Sequence, residues 1–313
     1  MIKKMNFAII GGSGYVAEKH YKSIKATGNK IIVVYDPVDN IGVLDRYEIS
    51  AKFYKSLKQF KQFIKNSIGT KKQIDYLTIC SPNYLHYEHI KIGLKLKLKI
   101  ICEKPLVINI SHLNRLIYEE KKYKSNISLI LQLRFHPVFK KINNFIKSKP
   151  RKKYNVDLTY LAPRGDWYLK SWKSNKSKSG GIASNIGIHL FDILIQLFGD
   201  VIDYNVYYKS KTTMAGLLNL KNAKIKWILS TNFKLCKTNR PIRKIKLLKE
   251  EFNLSNPKLD LHEISYKKIL ENKGFNLNSS IESLKLVNKL NKVKISKEKF
   301  FNSFNKLILN ETK

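Results

Sequence analysis

The chain has 313 residues, 43% of them hydrophobic, and its 60 Lys+Arg against 23 Asp+Glu give a formal net charge of +37. This length supports two domains with proper cores, the apolar fraction is ordinary for a globular protein, and no apolar run is long enough to span a bilayer. Lysines occur along the whole chain without a basic tail or a nucleic-acid motif, so the charge reads as a basic surface that attracts anionic ligands, not as a nucleic-acid site.

Lys3 and Lys4 precede a short apolar stretch that runs directly into glycines, which reads as a strand and not as a signal peptide. The strand covers Phe7 to Gly11. From Gly12, the residues GSGYVA fit G-x-G-x-x-A, and a helix follows over Val16 to Ala26. In that order, strand, glycine turn and helix lay a dinucleotide pyrophosphate on a helix N-terminus. The expected cofactor contacts are Gly11, Gly12, Ser13, Gly14, Tyr15 and Val16. A β-branched second strand, Ile31 to Tyr35, ends in Asp36. A carboxylate there accepts the ribose hydroxyls and repels a 2′-phosphate, which favours NAD over NADP.

Helices are expected at Leu57 to Ile68, Tyr84 to Leu96 and Ser111 to Lys122, alternating with strands at Tyr76 to Cys80 and Ile100 to Cys102. The alternation predicts a parallel sheet with helices on both faces. The run Ile127 to Leu133 is expected to close that sheet, a helix to follow over Pro137 to Lys147, and SKPRKK (Ser148 to Lys153) to form an exposed turn. Further on, Val156 to Leu161, Val201 to Lys209, Ala215 to Leu220, Lys224 to Thr231 and Ile242 to Leu247 read as strands of an open, mostly antiparallel sheet. Helices are expected at Ile188 to Leu197, Leu261 to Asn272 and Ile281 to Leu290. The fold class is therefore an α/β Rossmann domain, residues 1–125, followed by an α+β substrate-binding and oligomerisation domain, residues 126–313.

Ligands of such folds sit beyond the carboxyl ends of the parallel strands. Three places there carry chemistry. Ser81, Pro82 and Asn83 follow the third strand and can line a cofactor together with His86, although Asn83 also suits a plain helix cap. Glu103, Lys104 and Pro105 follow the fourth, where a lysine reaches the nicotinamide end and Pro105 imposes a cis bond or an extended turn. The segment SGGIASNIGIHLFD (Ser179 to Asp192) places Asn185 and His189 four residues apart, on one face of a helix. His86 and His89 have i, i+3 spacing but no third ligand nearby, and Cys80, Cys102 and Cys236 lack metal-site spacing, so no metal is expected. Cys80 and Cys102 end apolar runs, as packed strand residues do.

The glycine turn, SPNYLH, the EKP triplet and GG…NIGIHLFD, in this order, resemble the glucose–fructose oxidoreductase / inositol dehydrogenase family along essentially the whole chain. That resemblance implies a Rossmann domain with an open-sheet substrate domain, a late histidine, and a tetramer built on the open sheet. Many relatives carry aspartate where Asn185 stands. The segment PRGDWYLKSWK (Pro163 to Lys173), LQLRFHP, NIGIHLFD and DLHEISYKKILENKGF (Asp260 to Phe275) are similar to one branch, the UDP-N-acetylglucosaminuronate 3-dehydrogenases, which has asparagine there. The branch implies NAD-dependent oxidation of the 3-hydroxyl of a UDP-linked N-acetylated glucuronic acid, in synthesis of diacetamido-uronate sugars for surface polysaccharide such as lipopolysaccharide O-antigen, while the cysteine usage fits a reducing, cytoplasmic location. In some members 2-oxoglutarate reoxidises bound NADH.

Alcohol oxidation needs a hydride acceptor and a base. Lys104 and His189 are the catalytic candidates, with His189 as base and Lys104 orienting the hydroxyl, or the reverse. Arg164, Trp167, Tyr168, Ser171, Trp172, Asn185 and His189 are the expected substrate contacts. Arg164 supplies a planar fork for a carboxylate or phosphate and the aromatics a flat wall, although Trp167 and Trp172 equally suit a core or a subunit contact. Alternative readings are an aldose or cyclitol dehydrogenase, a non-catalytic cofactor-binding protein, and a nucleic-acid-binding protein.

Overall fold

A computed structural model describes residues 4–235, 240–255 and 258–296. Lys3 and Cys236 lie outside them. In chain order the elements are β1 (Asn6–Ile10), α1 (Ala17–Ala26), β2 (Lys30–Tyr35), β3 (Lys52–Tyr54), α2 (Leu57–Asn66), β4 (Tyr76–Ile79), α3 (His86–Lys95), β5 (Lys99–Cys102), α4 (Ile110–Tyr123), β6 (Ile127–Leu129), α5 (Pro137–Ser148) and β7 (Tyr154–Arg164). Two short helices, α6 (Trp167–Lys170) and α7 (Lys176–Ser179), precede α8 (Ile188–Phe198). Then come β8 (Val201–Lys209), β9 (Thr213–Leu220), β10 (Ala223–Asn232), β11 (Ile242–Leu247), β12 (Glu250–Asn253), α9 (Leu261–Leu270), β13 (Phe275–Asn276) and α10 (Ile281–Lys292).

These elements form two compact units. Among the described residues, the first contains 4–107, 111–132 and 260–280, and the second contains 108–110, 133–235, 240–255, 258–259 and 281–296. In the first unit the sheet order is β13-β6-β5-β4-β1-β2-β3. The pairings from β6 through β3 are parallel. The strands are short and continuously apolar because a parallel sheet is covered on both faces. Phe7, Ile9, Val34, Ile101 and, from α9, Tyr266 all pack in one core cluster.

The second unit holds a sheet in the order β12-β11-β7-β10-β9-β8. Only β7 and β10 pair in parallel, and the remaining pairs are antiparallel. The inward side chains alternate with solvent-facing ones along β7 and the start of β10, which is the mark of a half-covered sheet. Fully buried Trp227 of β10 stands edge-on to Phe191 of α8, with ring centroids 5.2 Å apart.

Three expectations change. The run Ile127 to Leu133 is a strand only to Leu129, because Gln132–Phe135 wind into a 3-10 turn. It does not close the sheet, since β13 pairs antiparallel beyond β6. The helical stretch Lys176–Phe198 has 23 residues and the length and apolarity of a membrane span, but its most apolar window is 78% buried inside the protein. It is a core helix, apolar because both faces of α8 are buried.

Candidate functional site

The glycine turn is fixed by backbone geometry. Gly11 has a φ of +89°, a conformation costly for any residue with a Cβ, and a Cβ built there would fall against the Ser81 backbone nitrogen. The turns after β1 and β4 therefore touch, and only glycine permits it. The N–H groups of Gly11 and Gly12 both donate to Tyr35 O, at 2.9 and 3.3 Å. The Tyr21 hydroxyl of α1 donates to Gly12 O at 2.8 Å. Asp36 is buried, and each of its oxygens accepts a backbone N–H, Oδ2 from Ser13 and Oδ1 from Val38, both at 2.9 Å. Its carboxylate thus ties the glycine turn to the end of β2. Ser13 Oγ closes the same loop by donating to Val38 O at 2.8 Å. Tyr15 stands 88% exposed and Val16 is the last residue before α1. The Cβ-free cradle, the helix N-terminus behind it and the carboxylate beyond β2 fit a dinucleotide without a 2′-phosphate.

The turns after β4 and β5 are braced by histidines of α3. His86 is 1% exposed, with Nδ1 2.8 Å from Pro105 O and Nε2 2.8 Å from Ser81 O. Both partners are carbonyls, which only accept, so a neutral ring donates to one of them at a time. Burial outweighs the two carbonyls and lowers the His86 pKa. His89 Nδ1 lies 2.8 Å from Ser81 Oγ, and burial, helped by His86, pushes its pKa down to about 4. The i, i+3 histidine pair thus pins the Ser81 turn in place, while Pro82 begins the 3-10 turn holding buried Asn83. The Lys104–Pro105 bond is cis.

The Glu103 side chain ties α1 and α9 to the turn after β5. Its Oε1 accepts from His20 Nε2 of α1 at 3.2 Å and from His262 Nε2 of α9 at 3.0 Å, and Oε2 accepts the Lys104 N–H at 3.1 Å. A carboxylate only accepts, so both histidines carry their proton on Nε2. Burial makes neutral His20 the favoured form. Its Nδ1 then accepts from the Tyr266 hydroxyl at 2.8 Å, and Tyr266 Oη accepts from Thr78 at 3.0 Å. Burial pushes the Glu103 carboxyl up, but the hydrogen bonds from His20 and His262 outweigh it and hold it well below the usual carboxylate range. His20, His262 and Tyr266 escape a sequence reading because their partners are 83 to 246 residues away.

In the second unit, Ala183–Gly187 forms a π turn that leads into α8. Such turns recur at functional sites because the wider winding redirects side chains. Asn185 in this turn donates from Nδ2 to Tyr168 Oη at 3.0 Å, and His189, 9% exposed, stands in the first turn of α8. Tyr168 is buried at 2%, Trp167 is 53% exposed, and Ser171 Oγ donates to Tyr168 O at 2.8 Å. The Lys173 ammonium lies over both indoles, 5.1 Å from the centroid of Trp167 and 5.7 Å from that of Trp172. Burial and then the Arg164 charge lower the Lys173 pKa. Arg164 ends β7 and is half-buried. Of the expected substrate residues, the structure gathers Tyr168, Ser171 and Asn185 by hydrogen bonds and the two tryptophans by a shared cation. One positioning pair was absent from the sequence reading. Arg134 donates from Nε and Nη2 to the two oxygens of Asp192, each at 2.7 Å, with both side chains buried.

Known proteins resemble this chain in sequence and fold. The family model of the oxidoreductase family NAD-binding Rossmann fold covers residues 5–130, and that of its C-terminal alpha/beta domain covers residues 152–237. The WlbA (WbpB) dehydrogenase of Thermus thermophilus, solved with NAD and UDP-GlcNAcA, superposes with a TM-score of 0.89 and 34% identity over 94% of this chain and 97% of that one. The WlbA dehydrogenase of Chromobacterium violaceum shares the fold at 17% identity and a TM-score of 0.76, over 92% of this chain and 93% of that one. Among curated relatives, the glucose-6-phosphate 3-dehydrogenase of Bacillus subtilis is 23% identical over 65% of this chain, and the myo-inositol 2-dehydrogenase of Thermotoga maritima 28% identical over 42%. These alignments span 57% and 38% of those proteins' own lengths. With both family models matched in order along it, the chain belongs to this oxidoreductase family, and its Rossmann domain takes NAD as cofactor.

Proposed function

We propose that the protein oxidises the 3-hydroxyl of a UDP-linked N-acetylated glucuronic acid to the 3-keto sugar. The observation that carries this reading is the 34% identity, over nearly the full length of both chains, to an enzyme solved with NAD and UDP-GlcNAcA. NAD, when bound, accepts the hydride from the sugar carbon. Lys104, directly after β5, orients the hydroxyl and stabilises the developing alkoxide. His189, at the start of α8, takes the hydroxyl proton, for which a neutral imidazole is suited. Arg164 holds an anionic group of the substrate through its planar fork. The indoles of Trp167 and Trp172 offer flat faces to a sugar or uracil ring. The Asn185–Tyr168 bond fixes the π turn that leads into the helix carrying His189.

The same Thermus dehydrogenase has been solved with NAD and alpha-ketoglutarate. We therefore assign 2-oxoglutarate as the oxidant that regenerates NAD here. The reading carries with it a cytoplasmic homotetramer whose product feeds diacetamido-uronate synthesis for surface polysaccharide.

The test is to incubate the purified protein with UDP-N-acetylglucosaminuronate, with and without 2-oxoglutarate. Nicotinamide absorbance and the sugar-nucleotide mass are then followed. Loss of two hydrogens from the sugar nucleotide, turning over repeatedly only with the oxoacid, is the expected result. NAD reduction by an aldose, a cyclitol or a sugar phosphate, with the UDP-sugar untouched, would overturn it.

A further inference from the structure

Glu103 has a place in the sheet that its hydrogen bonds alone do not explain. β1 lies between β2 and β4, with β5 beyond β4. Asp36 ends β2 and the glycine turn ends β1, so a dinucleotide lying with its adenosine toward Asp36 runs its other half toward the ends of β4 and β5. Glu103 is the first residue after β5. The oxidised nicotinamide ring carries a positive charge and the reduced ring carries none. A fixed negative charge at the end of β5 would therefore act on one redox form and not on the other.

The anion is real in the electrostatic sense. Three N–H donors converge on the carboxylate, from His20, His262 and the Lys104 backbone. His20 is a neutral donor that leaves the charge in place, since its far nitrogen accepts from the Tyr266 hydroxyl. The field of Glu103 is felt across the ends of both strands. After burial, it is the next force raising the thiols of Cys80 and Cys102, and it works against burial at His86. A staple of α1, β5 and α9 could be built from neutral groups at lower desolvation cost. The charge is the feature in need of a role.

We propose that Glu103, held by His20 and His262, biases this protein toward oxidised NAD over NADH. The inference rests on the cofactor and on no particular sugar.

The test is direct binding of NAD and of NADH to cofactor-stripped protein, by calorimetry for both and by nicotinamide fluorescence for NADH. The readout is the ratio Kd(NADH)/Kd(NAD) in wild type and in Glu103→Gln, a change that keeps shape and removes charge. The expected result is a fall in the ratio of about tenfold, the scale of one unit charge acting over roughly 10 Å at an effective dielectric of about 20. A merely structural role would weaken both ligands alike and leave the ratio unchanged, which would overturn the proposal. Glu103→Asp against Glu103→Asn repeats the comparison in a shorter side chain, should Glu103→Gln not fold. Asp is expected to keep a higher ratio than Asn, and equal ratios would overturn the proposal. The three side chains also offer ligand atoms within 4.8 Å of one another. A stoichiometric divalent metal in the wild-type protein, lost in His262→Gln, would likewise overturn it by reversing the sign of the local charge. Since no sugar is added, neither outcome depends on the substrate.

Discussion

Arg134 grips Asp192 through two parallel contacts of 2.7 Å, and Asp192 lies three residues after His189 on α8. A guanidinium and a carboxylate matched in this way are strong partners once both are buried, and each is costly when left alone. The pair therefore ties the 3-10 turn after β6 to α8, the helix that carries His189. Arg134→Met and Asp192→Asn are each expected to destabilise the protein by about 3–5 kcal/mol. The double variant Arg134→Met/Asp192→Leu should recover part of that loss because no charge stays buried. Urea denaturation of the three variants measures this. Single-variant costs below about 1 kcal/mol would show that the pair does not hold the helix.

Gly11 has no substitute. Its φ of +89° and the Ser81 backbone beside it both reject a Cβ. Gly11→Ala should lose about 1–3 kcal/mol of stability through strain and weaken NAD binding more than tenfold by parting the turns after β1 and β4. Gly28, with a φ of +77° and open space around it, is the control. Gly28→Ala should cost stability but leave NAD affinity as it was.

Lys104→Ala and His189→Ala should each leave NAD binding unchanged and reduce hydride transfer by roughly 10²–10⁴-fold. Rapid mixing of NAD-loaded protein with the sugar nucleotide measures the transfer step directly. Full turnover by either variant would remove that residue from the proposed mechanism.

Buried histidines make the protein acid-sensitive in a defined window. The His89 pKa falls from its ordinary 6.5 to about 4 in the folded state because burial disfavours the cation. Between those values the unfolded chain binds a proton that the folded one excludes, so stability is full above pH 6.5 and declines toward pH 4. His20 and His86 shift in the same direction and add to the slope. Glu103, depressed well below its ordinary 4.5, acts in a separate window: its contribution is present above pH 4.5 and is lost as pH falls through the folded value. Denaturation from pH 7 to 4 should show a steady loss, and His89→Gln should flatten part of it. An unchanged slope in that variant would mean that His89 titrates normally in the fold.

The sequence alone determined the features that rest on local periodicity and backbone chemistry. Alternating apolar segments announced the parallel sheet, the glycine turn announced where a phosphate belongs, and the β-branched run ending in Asp36 announced the second strand. Each of these is written within about 20 residues, where steric rules and repeat length operate directly. The short strands β3 and β13 were not legible, because two or three residues carry no period and pair only once a neighbouring edge exists. The tertiary structure decided the rest. It returned α9 to the first unit, where His262 and Tyr266 meet Glu103 and His20, and it brought Arg134, just past the expected run Ile127 to Leu133, to Asp192. Buried polar groups must find partners wherever the chain brings them, and their choice among seven histidines and 60 basic residues is set by packing, which no local pattern records.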